Sequence, residues 1–171
     1  MTQGKPTFGT VLRDLTPIAD ALGMDTGTLA RVNLPPQVVS TGLGHLMVPL
    51  PDLNVIGSLR PNVALLDTLL QNCGALGCFV FCLQATTPDT FAHARMFAPG
   101  AGVPEDPATG SAAGPLGAYL AVHGVLPKAQ PAFLIEQGLE MGRPSLIWVE
   151  VGRDAAGLAT TVPVIRGTIH V

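Results

Sequence analysis

With 171 residues, 47% of them apolar and only 12% charged, the chain is a single domain carrying about half the charge of an ordinary soluble protein. Its net charge of −3 and its singly scattered Lys and Arg residues exclude nucleic acid and an anionic membrane as partners. The longest charge-poor run, Thr68 to Gln84, is broken by Gln71, Asn72 and Gly74 and is too short to span a bilayer.

A domain of this length buries about two-thirds of the surface its unfolded chain exposes, and so low a charge content has two readings. Either a partner covers part of the apolar surface, or the composition is merely rich in Ala, Gly and Leu. The opening residues, MTQGKPTFGTVLRD, lack the apolar core of an export signal, so a cytoplasmic location is expected.

Residues 3–9 read as an extended segment entering a turn. Leu15, Ile18, Ala19 and Leu22 follow an i, i+3, i+4, i+7 stripe that predicts a short helix from Leu15 to Leu22, stopped by Gly23. Pro35-Pro36 breaks the chain before a strand from Gln37 to Ser40, and His45 to Val48 is a second extended piece. Leu53 to Leu59 reads as a short strand or edge. Pro61-Asn62 then opens a helix through Leu70, with Val63, Leu66, Leu69 and Leu70 on one side.

Ala75 to Leu83 is the most strand-like run, centred on Phe79, Val80 and Phe81. Cys78 and Cys82 share a face of it. With Cys73 the count is odd, no Cys-x-x-Cys pair exists and no His is near, so buried reduced thiols are expected rather than a metal site. Phe91 to Phe97, Ala132 to Glu136, Ser145 to Val151 and Val162 to Val171 supply further strands, with a turn from Asp154 to Gly157 between the last two. Strands joined by short turns favour an antiparallel sheet.

The chain is organised around Ala98 to Gly124, APGAGVPEDPATGSAAGPLGAYLAVHG. A Pro/Gly-rich loop with two adjacent carboxylates leads into a helix that opens on Thr109-Gly110-Ser111. Small residues there leave the first amides uncrowded at the positive end of the helix dipole, a seat for an anion. Ala112, Ala113, Leu116, Ala118, Tyr119, Leu120, Ala121 and Val122 leave the helix almost no polar face, so it is a buried one. Gly114 and Gly117 would cost about 1 kcal/mol each relative to Ala unless neighbouring backbone comes close. Pro115 is expected in or just after the first turn, and His123 and Gly124 at the end. The predicted fold class is therefore α+β, an antiparallel sheet wrapped around one central buried helix.

Asp106, next to Pro107 and a few residues from the helix start, is the first candidate for chemistry. A carboxylate beside an anion seat can hold a small amino or hydroxy acid; the plainer alternative is that Glu105 and Asp106 only complement the helix dipole. His93, His123 and His170 have no companion at metal spacing, and Gly100-Ala101-Gly102 does not continue into a phosphate loop, so neither a metal nor a cofactor is expected. Trp148 and Tyr119 read as core residues, and Gly142-Arg143-Pro144 as a bulge before a strand, with Arg143 a weaker candidate for meeting an acidic substrate.

Arg95-Met96-Phe97-Ala98-Pro99, Glu105-Asp106-Pro107-Ala108-Thr109-Gly110-Ser111-Ala112, Gln137-Gly138, and Met141-Gly142-Arg143-Pro144-Ser145, together with Val39 to Leu43, His45-Leu46 and Val48-Pro49, resemble the PhzF-like isomerases and epimerases of phenazine biosynthesis. The resemblance spans most of the chain but only the C-terminal half of such a protein. It implies a diaminopimelate-epimerase-like fold of two similar halves, each a helix inside a strongly curved antiparallel sheet or barrel, with the active site in the cleft between them. Residues 1–36 are then the junction with a first half that supplies a glutamate acid/base. The resemblance implies a catalytic role for Asp106, substrate contacts at Thr109, Gly110 and Ser111, and a possible one at His45, whose plainer reading is a hydrogen-bonded structural residue.

Proton transfer beside a carboxylate needs a base, an acid and a way to hold negative charge. Glu105 and Glu136 are the only acidic residues near the remaining motifs, and neither matches the family's glutamate. The expected function is thus cofactor-independent proton transfer on a small carboxylate substrate, incomplete in one chain, with either a separate first half or a second copy in a homodimer as partner. The alternative is a non-catalytic anion-binding or self-associating module, and a decayed fragment is a third reading.

Overall fold

A helix with no polar face has to be enclosed, and the computed structural model, which describes residues 3–126, 132–153 and 159–163, encloses it. Helix α5 runs Gly110–Val122 and every residue from Ala112 to Ala121 is buried. In chain order the other elements are β1 (Thr7–Val11), α1 (Thr16–Leu22), α2 (Thr26–Leu29), β2 (Gln37–Ser40), β3 (Gly44–Pro49), α3 (Leu53–Ser58), α4 (Val63–Cys73), β4 (Gly77–Cys82) and β5 (Ala92–Ala98). A 3-10 turn at Pro99–Ala101 leads to β6 (Val103–Asp106) and α5, then β7 (Ala132–Gln137), β8 (Ser145–Arg153) and β9 (Ala159–Pro163).

Among the described residues nine strands lie in one curled sheet in the order β1-β2-β3-β4-β5-β7-β8-β9, with β6 laid against β5. Helix α5 packs against β2, β3, β8 and β9. Val39, Met47, Phe79, Phe81, Ala94, Met96, Ile135 and Val149 face it. The alternate residues of the same strands, among them Val38, Leu46, Val48, Cys78, Val80, Cys82 and Phe97, pack with α1, α3 and α4 in a second core. Strands sandwiched this way read as nearly continuous apolar runs, which is the character of Gly77–Cys82, buried at every position.

The α+β class and the curved sheet around a buried helix match the sequence reading, but the sheet is mixed rather than antiparallel. Strand β3 pairs with β4 and β5 with β7 in parallel. Parallel pairing needs a long crossover, and α3 with α4 provides one while β6 with α5 provides the other. Leu53 to Leu59, expected as a strand, is α3, because the Asp52 carboxylate caps it by accepting the Val55 amide at 2.9 Å. The second helix begins as expected at Asn62, whose side chain accepts the Ala64 and Leu65 amides; it continues to Cys73 and stops at Gly74, φ 71°.

Three smaller expectations change. Pro115 is the sixth residue of α5, so the Ser111 carbonyl lacks its usual intrahelical donor. The close neighbour of Gly114 is the Gln3 side chain rather than backbone. Trp148 is 39% exposed rather than core, whereas Tyr119 is buried and its hydroxyl donates to the Pro35 carbonyl at 2.8 Å. The cysteines are free, with Cys78 and Cys82 buried, and burial pushes the thiols of all three up. The expected turn from Asp154 to Gly157, His170 and the chain beyond Pro163 lie outside the described residues. Among the described residues no helix is long and apolar enough to cross a membrane.

Leu116 sits at the centre of α5 with no exposed surface. Leu116→Ala is expected to cost about 3 kcal/mol, read as a lower urea midpoint with an unchanged slope.

Candidate functional site

The strand β5 changes partner along its length. Its first residues pair with β7, and at Met96 and Ala98 it pairs with β6. The acidic stretch expected as a loop is thus a short strand, and it delivers Asp106 to the start of α5. Adjacent strand residues point to opposite faces, which separates Glu105 from Asp106.

Glu105 is held on the helix-covered side. Arg95 donates Nε and Nη2 to its two carboxylate oxygens at 2.8 and 2.9 Å, gives Nη1 to the Ile56 carbonyl at 3.0 Å, and stacks 5.0 Å from the Phe97 ring centroid. A fork paired in this way is structural. Glu136 is equally committed, accepting from the Thr86 and Thr87 amides at 2.7 and 2.8 Å and facing His93. Both carboxylates are held in pairs with cationic or hydrogen-bonding partners.

Asp106 is only partly buried. Its Oδ2 accepts the Thr109 hydroxyl at 2.6 Å, so Thr109, although it is the cap residue of α5, spends its side chain on the carboxylate instead of on the helix. A buried amide holds this corner. Gln137 Nε2 donates to the Asp106 carbonyl at 2.6 Å and to Thr109 Oγ1 at 3.0 Å, while its Oε1 accepts the Thr109 amide at 3.1 Å. Ser145 Oγ donates to the Pro107 carbonyl at 2.5 Å. The first internal bonds of α5 run from the Ala112 and Ala113 amides to Thr109. The Gly110 and Ser111 amides have no partner among the described residues.

The first turn of α5 is pinned from outside as well. Gln3 Nε2 donates to the Gly110 carbonyl at 2.7 Å, and the Thr41 hydroxyl donates to Gln3 Oε1. Residues from three remote parts of the chain therefore fix the two half-buried residues Gly110 and Ser111 beside Asp106. Among the described residues, the remaining sequence candidates make no hydrogen bond to these. Arg143 is exposed in the turn of residues 138–144; this is a tight turn with Gly138 at φ 82° and Gly142 at φ 66°, not the expected bulge. His45 has no exposed surface, and both ring nitrogens lack a partner among the described residues. By strand alternation it shares the α5-facing side with Met47. Burial draws its pKa down to about 4, so the ring is neutral. Among the described residues no group of His, Cys, Asp and Glu is arranged to hold a metal ion.

This geometry can be set beside known proteins. Residues 1–167 match the sequence pattern of the family described as phenazine biosynthesis-like proteins. The chain belongs to that family. It is 37% identical over 158 residues to an uncharacterised isomerase of Clostridium acetobutylicum, covering 90% of this chain and 52% of that protein. A trans-2,3-dihydro-3-hydroxyanthranilate isomerase of Pseudomonas fluorescens is 35% identical over 150 residues, covering 88% and 49%. A crystal structure of a phenazine biosynthesis protein of the PhzF family from Bacillus anthracis superposes with a TM-score of 0.80 at 26% identity, over 97% of this chain and 60% of that one. A probable proline racemase from Agrobacterium radiobacter shares the fold, with a TM-score of 0.54 at 13% identity. The chain spans about half the length of the curated relatives it matches.

In this candidate site Gln137 is a member that the sequence reading places in a motif but not at the site. Its signal was an amide at the end of an apolar strand before Gly138, and only the sheet register brings it to Thr109. Gln137→Leu removes the partner of the buried Thr109 amide and one donor to the part-buried Asp106 carbonyl, and is expected to cost about 3 kcal/mol, measured by thermal and urea unfolding.

Proposed function

We propose that this chain is one face of a cofactor-independent isomerase or epimerase cleft, in which a proton moves at the carbon beside a small substrate's carboxylate. The observation that carries the reading is the pairing of an oriented carboxylate, Asp106 held by Thr109 at 2.6 Å, with the Gly110 and Ser111 amides at the start of α5, which have no partner among the described residues. The substrate carboxylate sits on those amides and the helix dipole. Asp106 then lies near the neighbouring carbon and its polar substituent, as a proton donor or acceptor.

The second acid/base comes from the opposing face of the cleft, either an N-terminal half with a glutamate or a second copy of this chain. Closing the two faces excludes water, which strengthens the helix-end contacts to developing charge. The commitment of Glu105 to Arg95 and of Glu136 to His93 supports this division of labour, because among the described residues it leaves Asp106, held by the Thr109 hydroxyl alone, as the carboxylate at the corner without a cationic partner. That one relative is named a trans-2,3-dihydro-3-hydroxyanthranilate isomerase supports a small cyclic or acyclic carboxylate as the substrate class.

Incubation with small amino and hydroxy acids in deuterium oxide tests the proposal. With both faces of the cleft present, deuterium is expected at the carbon beside the carboxylate, and Asp106→Asn should lower the rate by about 10² or more. Small carboxylates should also shift the Gly110 and Ser111 amide resonances. Exchange unaffected by Asp106→Asn, or amides unmoved at saturating carboxylate, would overturn the reading.

A further inference from the structure

On the opposite face of the sheet from α5, His93 lies between two carboxylates. Its Nδ1 is 2.7 Å from Glu136 Oε1 and its Nε2 is 2.9 Å from Glu140 Oε1, and the ring is 2% exposed. A neutral imidazole has one N–H and one lone pair. In that form one nitrogen would point its lone pair at a carboxylate oxygen only a hydrogen bond's length away. Two such contacts are satisfied together when both nitrogens donate, as an imidazolium does.

The neighbours fit that assignment. Cys82 stands opposite His93 on β4, and Glu136 opposite it on β7. Glu140 belongs to the turn of residues 138–144, and Arg95, two residues along β5 on the same side, is spoken for by Glu105. Asp52 acts on Cys82 from the α3 cap. Glu136 has further donors in Thr86 and Thr87, so its charge is satisfied without a proton.

The cluster also reaches the site. Glu136 precedes Gln137, whose amide holds Asp106 and Thr109. Glu140 sits in the turn whose Gly138 lies so close against Pro107 that a Cβ there would come within 2.8 Å of the Pro107 carbonyl. Both carboxylates held by His93 are therefore attached to backbone that braces the Asp106 to Thr109 corner. We infer that His93 is a positioning residue, held as an imidazolium between Glu136 and Glu140, which clamps the turn of residues 138–144 and the end of β7 against that corner and releases them on losing its proton.

The acid-base behaviour follows from the contacts. Burial draws the His93 pKa down, but hydrogen bonds and attraction from Glu140 and Glu136 outweigh it, and the net direction is up from 6.5. A raised folded value means that the clamp's contribution is complete below the unfolded value and is lost as pH rises through the folded one. Burial likewise raises Glu136, and hydrogen bonds from Thr87, Thr86 and His93 outweigh that, drawing it from 4.5 down to about 2. Its contribution is present above 4.5 and is lost as pH falls toward the folded value. The clamp is closed between these limits.

The importance of the braced corner rests on the proposed function, but the test does not use turnover, so the two fail separately. Nuclear magnetic resonance of the 15N-labelled chain reads the ring nitrogens of His93 and the exchange rate of the Thr109 amide over a pH series. Both ring nitrogens are expected to be protonated at neutral pH, with a titration midpoint above the ordinary histidine value of about 6.5. Glu140→Gln, on a partly exposed residue, should lower that midpoint and speed Thr109 exchange by about tenfold at neutral pH. A ring neutral at neutral pH in the unsubstituted chain would overturn the inference, as would Thr109 exchange unchanged by Glu140→Gln. The ring titration needs no variant, so it decides the protonation state even if the substituted chain does not fold.

Discussion

Everything in this structure depends on enclosing α5. A thirteen-residue helix without a polar face can exist only if apolar groups surround it, and the curled sheet does so by presenting one face of β2 through β5 and of β7 and β8 to it. The same strands have a second face to cover, which α1, α3 and α4 take. Curvature, the two cores and the mixed pairing are consequences of that one requirement.

Enclosure also creates the site. A buried helix still has a first turn with amides that no internal carbonyl can reach. Here Gln3 and Thr41 pin that turn from one side, and Gln137 pins Thr109 and Asp106 from the other. The amides of Gly110 and Ser111, near the Asp106 carboxylate, have no partner among the described residues. In a low-charge protein this small group of polar atoms is held by part-buried and buried hydrogen bonds, which are costly to leave unmade.

The other carboxylates close to the site are removed from competition by pairing. Arg95 takes Glu105 in a two-pronged contact, and His93 with the Thr86 and Thr87 amides takes Glu136. Both clusters lie on the face away from α5 and both support backbone that reaches the site. A division in which one sheet face carries the candidate site and the other carries the polar supports is what strand alternation permits.

Much of this was legible in the residues. The all-apolar run from Ala112 to Val122 determined a buried helix, Thr109-Gly110-Ser111 its start, His123-Gly124 its end, and the motif order around Asp106 the family, because each is a local pattern whose physics does not depend on distant contacts. The Leu53 to Leu59 segment misled, since the β-branched Val55 and Ile56 favour a strand while the single cap at Asp52 decided for a helix. Tertiary structure alone settled the parallel pairs, the pairing of Arg95 with Glu105, the burial of His45 without partners among the described residues, and the approach of Gln137 and His93 to residues 28 and 43 positions away. Those depend on sheet register, which is set by how all the strands share two cores and so cannot be read from any one stretch of the chain.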